Sequence, residues 1–204
     1  MRQVTGSNPI PSNEKVSIQL KLDGHSFSRD MLPQGVSESG AVHVELLTAK
    51  SIAVPAECFE PQLAASLLAI SGIAVAEGDE VVWSEEVDGV VAVMLLPQDF
   101  AQGLKVQFGD SVSYSSPLLR TYSAKCEYLY IYNVGKVAYL KLYNAEQLLY
   151  CEATSIVGDD DLLYIVGRLV QEFQLKSLVV SLAGEFSSKL TKLLKQYYKV
   201  EKCE

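Results

Sequence analysis

Apolar and polar positions alternate along this chain with two periods, and the pattern is cleanest in the second half. Over residues 128–133, 136–143 and 147–153, apolar and aromatic side chains recur at about every second position, which predicts three β-strands. Residues 160–173 change period: Leu162, Leu163, Ile165, Val166, Leu169, Val170 and Phe173 make a broad apolar face at helical spacing. A strand over 177–182 and a helix over 187–198 complete the order βββαβα. That order predicts one mixed sheet with helices packed on its faces. On the last helix Lys189, Lys192, Lys195 and Lys199 lie opposite Leu190, Leu193, Leu194 and Tyr197, an amphipathic surface helix.

The first half is looser. Strands are predicted at 16–22, 41–47 and 51–54, the last closed by Pro55, and Glu60-Pro61 opens a helix with Leu63, Leu67, Leu68 and Ile70 as its stripe. Residues 80–83 and 90–96 read as strands paired through Asp88-Gly89, a strong hairpin signal, and a helix follows at about 98–108. Residues 109–125, rich in Ser and holding Pro117, are the candidate boundary between halves. Residues 1–14 read as a flexible leader.

One pattern occurs twice. Residues 16–28 and 129–139 each run as a strand into a glycine, Gly24 or Gly135, that can take the positive φ of a tight hairpin, and then resume. A duplicated domain is the natural reading, with an N-terminal half at 15–118 and a C-terminal half at 119–204.

Composition narrows the choice of partner. The 204 residues suit one domain or two smaller ones, and 49% apolar with 21% charged residues predicts a packed fold. A net charge of −8 gives no drive toward phosphate backbones, so nucleic acid is not expected as a partner. No apolar stretch approaches the roughly 20 residues of a membrane span. Residues 1–9 hold no apolar run either, and a cytoplasmic location without membrane insertion is expected. Cys58, Cys126, Cys151 and Cys203 form no Cys-x-x-Cys pair and read as reduced thiols packed as small apolar groups.

Candidate chemistry is sparse. His25 and His43 have no third ligand at metal-site spacing, so no metal or His-based triad is predicted. Asp159-Asp160-Asp161 follows Gly158 at a helix start, where carboxylates cap N–H groups and complement the dipole. Tyr128, Tyr130 and Tyr132 share one face of a strand, with Tyr139, Tyr143 and Tyr150 near in sequence. They read either as cross-strand pairs beneath a helix or the partner half, or as a protein-binding face.

The βββαβα order resembles the ribonuclease-H-like unit that is duplicated in the actin, heat-shock chaperone and sugar-kinase superfamily. The chain as a whole is similar to an uncharacterised bacterial family with an actin-like ATPase fold. The resemblance implies an α/β fold class: two ribonuclease-H-like (actin-like ATPase) domains with mixed sheets flanked by helices. Residues 178–186, running into 187–190, are similar to the superfamily's adenosine motif, with Ala183 in place of the first small Gly and Gly184 after it. It also implies Asp-x-Gly at each hairpin turn, the Asp holding Mg²⁺ through water and the Gly admitting phosphates to backbone N–H groups.

Here those aspartate positions hold Leu22 and Asn133, and Asp23 alternates to the opposite face. Lys136 and Val137 replace the small residues after the second turn. Phosphoryl transfer depends on metal-borne charge stabilisation, so a binding or assembly module with a protein partner is expected, without catalytic residues, bound metal or cofactor. The alternative is a divergent ATPase or kinase-like protein holding ATP with Mg²⁺ between the halves. Its cleft candidates are Asp23, Gly24, Asn133, Gly135, Ala183 and Gly184.

Overall fold

The structure, a computed structural model, describes residues 16–22, 42–109, 111–122 and 126–202. The expectations for the leader, for the Asp23-Gly24 turn, for His25 and for Cys203 lie outside these residues. The first half runs β1 (Val16–Lys21), β2 (Val42–Leu47), β3 (Ser51–Pro55), α1 (Ala64–Ile70), β4 (Asp79–Trp83), β5 (Val90–Pro97), α2 (Gln98–Phe108) and β6 (Val112–Ser115). β1, β2 and β6 form a parallel sheet in that order, and β3, β5 and β4 an antiparallel one.

β5 explains its own sequence. Ala92, Met94 and Leu96 face a core made with Ile18, Val44, Phe100 and Leu104, while Val91, Val93 and Leu95 face Val54 and Leu68 on the other side. A strand buried on both faces needs an unbroken apolar run. Asp88 and Gly89 turn the chain from β4 to β5 with φ of 50° and 75°, the pair of positive angles that a type I′ turn requires. The helix expected from residue 60 begins as a single 3-10 turn, Pro61–Leu63, before α1. Within the stretch read as a boundary, β6 pairs with β2, its Val112 and Tyr114 spaced by serines that concealed the alternation.

The second half runs β7 (Tyr128–Val134), β8 (Val137–Asn144), β9 (Gln147–Ser155), α3 (Asp159–Glu172), β10 (Val179–Gly184), α4 (Ser188–Tyr197) and β11 (Lys199–Lys202). Its sheet order is β11-β10-β7-β8-β9, with β7, β8 and β9 antiparallel and β10 parallel to both β7 and β11. β11, with Val200 among charged residues, had no apolar signal in the sequence. Its parallel run β7-β10-β11 has the connectivity of β1-β2-β6, a first strand followed by two later ones.

Alternation divides this sheet. Leu129, Ile131, Leu140, Leu142, Val180 and Leu182 lie beneath Leu162, Val166 and Leu169 of α3 and Leu190 and Leu194 of α4. Both helices therefore cover one face, not both as the order had suggested. Asp161 Oδ2 accepts from the N–H groups of Val157 at 2.7 Å and Gly158 at 3.3 Å, so the acidic run does cap α3. No helix among the described residues is long and apolar enough to cross a membrane.

The other face carries Tyr130, Tyr139, Lys141 and Tyr143, all buried. It meets the first half through Leu47, Leu118 of the 3-10 turn Pro117–Leu119, Val134, Tyr139 and Ala153. Lys141 Nζ donates to the Arg120 carbonyl at 2.7 Å, and Tyr139 Oη to the Thr48 carbonyl at 3.3 Å. Arg120 Nη2 lies 2.9 and 3.0 Å from the two Glu45 oxygens, with its guanidinium carbon 4.3 Å above the Tyr132 ring. Tyr122 stacks on Tyr130 at 3.6 Å between centroids. The tyrosine face is thus covered by the chain itself, as the first of its two readings had it.

Burial holds the Lys141 ammonium below its usual pKa. Arg120 is also penalised by burial, but the Glu45 carboxylate outweighs that and holds the guanidinium above its usual range. Burial, partly offset by Lys141, raises the Cys151 thiol to about 11. Cys58 and Cys126 correct the expectation of packed thiols, because both are exposed, Cys58 in the surface 3-10 turn Ala56–Cys58.

Leu118 is 0% exposed at this seam, so Leu118→Ala should cost about 2–5 kcal/mol in urea unfolding, through lost contacts and the cavity left. Mass-resolved alkylation of the native chain should label Cys58 far faster than Cys151, the difference vanishing on unfolding. The raised thiol pKa contributes stability that is fully present below pH 9 and lost as pH rises through about 11. An alkaline titration of stability in wild type and Cys151→Ala checks that sign.

Candidate functional site

β7 and β8 pair up to Val134 and Val137, which leaves Gly135 and Lys136 as a two-residue loop. Gly135 has φ 59° at the first central position, where a type II′ hairpin takes glycine. Beside this turn β10 ends at Gly184, the register partner of Asn133, with φ 94°. A Cβ there would lie 2.1 Å from the Asn133 carbonyl oxygen, so only glycine allows the two strands to approach.

The next residue ties the strands together. Glu185 N donates to the Asn133 carbonyl at 2.9 Å, and Asn133 Nδ2 donates to the Glu185 carbonyl at 2.5 Å. The Glu185 carboxylate then folds back over the turn, where Oε2 accepts from Gly135 N at 3.1 Å. Its Oε1 lies 3.5 Å from Nζ of Lys21, at the end of β1. That pair is largely exposed and worth about 0–1 kcal/mol.

Lys21 and Gly135 stand on opposite walls of a cleft of about 570 Å³ between the two halves. Leu22, Lys50 and Asp79 line it from the first half, and Val134 and Lys136 from the second. Asp79 Oδ2 is 3.5 Å from Lys50 Nζ and accepts from Ala76 N at 3.2 Å. Asp99, in the first turn of α2, is a further carboxylate of the lining. The cleft is thus lined by three lysines and two aspartates among apolar residues.

Of the candidates read from the sequence, Gly135 lines the cleft. Asn133 and Gly184 meet behind it, and Ala183 is buried in β10 opposite Tyr132. Asp23 and Gly24 lie outside the described residues, directly after Leu22. Glu185, Lys50 and Asp79 escaped sequence reading. Glu185 had one signal, a charge placed between the small residues of 183–184 and a helix start. Lys50 and Asp79 reach the cleft only through the pairing of β3, β4 and β5.

Asn133 decides what the turn can do. It is buried, its Oδ1 has no hydrogen-bond partner, and the Glu185 carbonyl requires the amide NH₂ on its own side. A carboxylate here would set acceptor against acceptor. Among the described residues no three His, Cys, Asp or Glu side chains cluster as metal ligands. His43 Nδ1 lies 3.0 Å from Ser113 Oγ, its register partner across β2 and β6, and Ser113 Oγ donates to the Val42 carbonyl at 3.4 Å.

A crystal structure from Bacteroides thetaiotaomicron, of a protein with actin-like ATPase fold and unknown function, matches with a TM-score of 0.68 at 16% identity. The match covers 79% of this chain and 68% of that one. The chain has an actin-like ATPase fold. The cytoplasmic domain of EpsL, an inner membrane component of the type II secretion system of Vibrio cholerae, matches at 13% identity and TM-score 0.43, over 88% of this chain and 92% of that one. The PilM-PilN type IV pilus biogenesis complex matches at 15% and 0.41, over 79% and 68%. No family model matches the chain, and no curated protein matches it.

Within this actin-like fold, Asn133→Asp should destabilise by about 1–3 kcal/mol at neutral pH, because two acceptors then face each other. The penalty should shrink as pH falls and the new carboxyl gains a proton to donate. Urea unfolding at two pH values reads both signs.

Proposed function

We propose that this chain is a non-catalytic binding or assembly module made of two actin-like halves, and that its ligand is another protein. The observation that carries this reading is the self-engagement of the second turn. Asn133 and the Gly135 N–H, the groups that would serve a metal-bound phosphate, are both hydrogen-bonded to Glu185. Phosphoryl transfer needs donors and cations aimed at the transferred group, and this turn aims its donors at the protein. The shared connectivity of β1-β2-β6 and β7-β10-β11 supports a duplication beneath the two halves.

The surface favours a protein as partner. A net charge of −8 disfavours nucleic acid. Tyr164 on α3 and Tyr197 on α4 stand 71% and 75% exposed, large amphipathic side chains of the kind that anchor interfaces. Free Cys58 and Cys126 at the surface accord with a reducing, cytoplasmic setting.

The second reading, a divergent nucleotide-binding ATPase or kinase-like protein, draws on the cleft itself. Lys21, Lys50 and Lys136 could meet phosphate there, with Asp79 and Asp99 as the carboxylates for a cation. Thermal unfolding with ATP or ADP and Mg²⁺, together with an ATP turnover assay, separates the two. The module reading expects no shift and no metal-dependent turnover. A gain of about 2.7 kcal/mol at a hundredfold excess over the dissociation constant, with turnover lost in Asn133→Ala, would replace it by the second.

A further inference from the structure

The Gly135 turn already holds an anion, and the chain supplies it. Glu185 Oε2 takes the Gly135 N–H while Oε1 faces Lys21 Nζ, so one side chain joins a backbone donor of the second half to a cation of the first. Lys136, the next residue of the turn, also lines the cleft. We propose that Glu185 is a removable internal anion, whose carboxylate fills an oxyanion site made by Gly135 N–H and Lys21 and excludes phosphate-class oxyanions while it is seated. The inference rests on the reading of the cleft as non-hydrolytic.

Three features make the carboxylate removable without disturbing the fold. The backbone of Glu185 is held at both its N–H and its carbonyl by Asn133, so the side chain can swing about a fixed root. The Glu185 side chain is 65% exposed, and leaving the turn exchanges its contacts for water. Gly184 and Asn133 keep the end of β10 against β7 whatever the carboxylate does. A phosphate oxygen and a carboxylate oxygen present the same acceptor to an N–H and the same charge to an ammonium, so one can take the place of the other. Seated, Glu185 also bridges the cleft between β1 and the β7-β8 turn. Displaced, it frees the two halves from that contact.

The test is a titration of the whole chain with inorganic phosphate, followed at the Gly135 amide resonance, with ionic strength held constant by chloride. Glu185→Ala should bind phosphate at least about tenfold more tightly than wild type. Asp160→Ala, which removes the same charge from the exposed start of α3, should match wild type. Adding Lys21→Ala to Glu185→Ala should abolish the gain.

Equal affinity in wild type and Glu185→Ala would overturn the proposal, as would a gain no larger than that of Asp160→Ala or one indifferent to Lys21→Ala. If Glu185→Ala fails to fold, Glu185→Gln keeps an acceptor for Gly135 N–H and removes the charge. It too should bind phosphate more tightly than wild type, and no gain would overturn the proposal. ATP turnover by the wild-type chain would instead overturn the module reading and leave the phosphate comparison intact.

Discussion

Lys141 and Arg120 put two positive charges into the seam between the halves, and a buried charge is tolerated only where its donors find acceptors. Lys141, 5% exposed, gives its ammonium to the Arg120 carbonyl, and Arg120 gives its guanidinium to Glu45. The acceptors come from the segment that links the halves and from β2, so Arg120 ties Lys141 of the second half, through its carbonyl, to Glu45 of the first, through its guanidinium. Leu118 and Tyr139 fill the apolar space around them. Removing Glu45 would leave the half-buried Arg120 guanidinium without its carboxylate, which costs more than the loss of a fully exposed ion pair. The relative placement of β1 and β7 follows from this seam, and the cleft with it. Lys21 comes within reach of Glu185 because β2, the neighbour of β1, is anchored through Glu45, Leu47 and Thr48 to the face that carries Tyr139 and Lys141.

Much of this was legible in the sequence wherever one residue type had one task. The apolar run of β5, the Asp88-Gly89 turn, the stripe of α3 and the alternation in β7 and β8 each name their element, because burial and backbone geometry are local demands. β6 and β11 were hidden for the same reason in reverse. Their outward positions hold serine, lysine and glutamate, and only pairing to β2 and β10 makes them strands. The alternation of leucine with tyrosine in β7 was visible, but which body covers each face is a tertiary fact. A sequence shows that Lys141 breaks the apolar pattern of β8. It does not show that a carbonyl twenty-one residues away waits for it.

The candidate site divides along the same line. Gly135 was found because a hairpin loop restricts the backbone directly, and Gly184 through the resemblance of 178–186 to an adenosine motif. Glu185 was missed because its partners come from β7, from the β7-β8 loop and from β1, and no spacing rule connects them. Asn133 was found but understood only by its deviation from an aspartate. In the structure it has a task of its own, that of a donor to the Glu185 carbonyl, which an ionised aspartate cannot perform.

This gives the two kinds of motif residue different weight. A glycine is retained for any close backbone approach, whether the approaching group is a ligand or another strand of the same protein. Gly184 meets the Asn133 carbonyl, so its presence reports the actin-like fold and is neutral about nucleotide. A carboxylate at the turn would have no such internal use, because the group it would face is an acceptor. An asparagine at this position therefore suits a turn bound to its own chain, with the Glu185 side chain supplying the negative charge that the Gly135 N–H and Lys21 attract. In this fold the side chains around the turn, more than its glycines, carry the information about function.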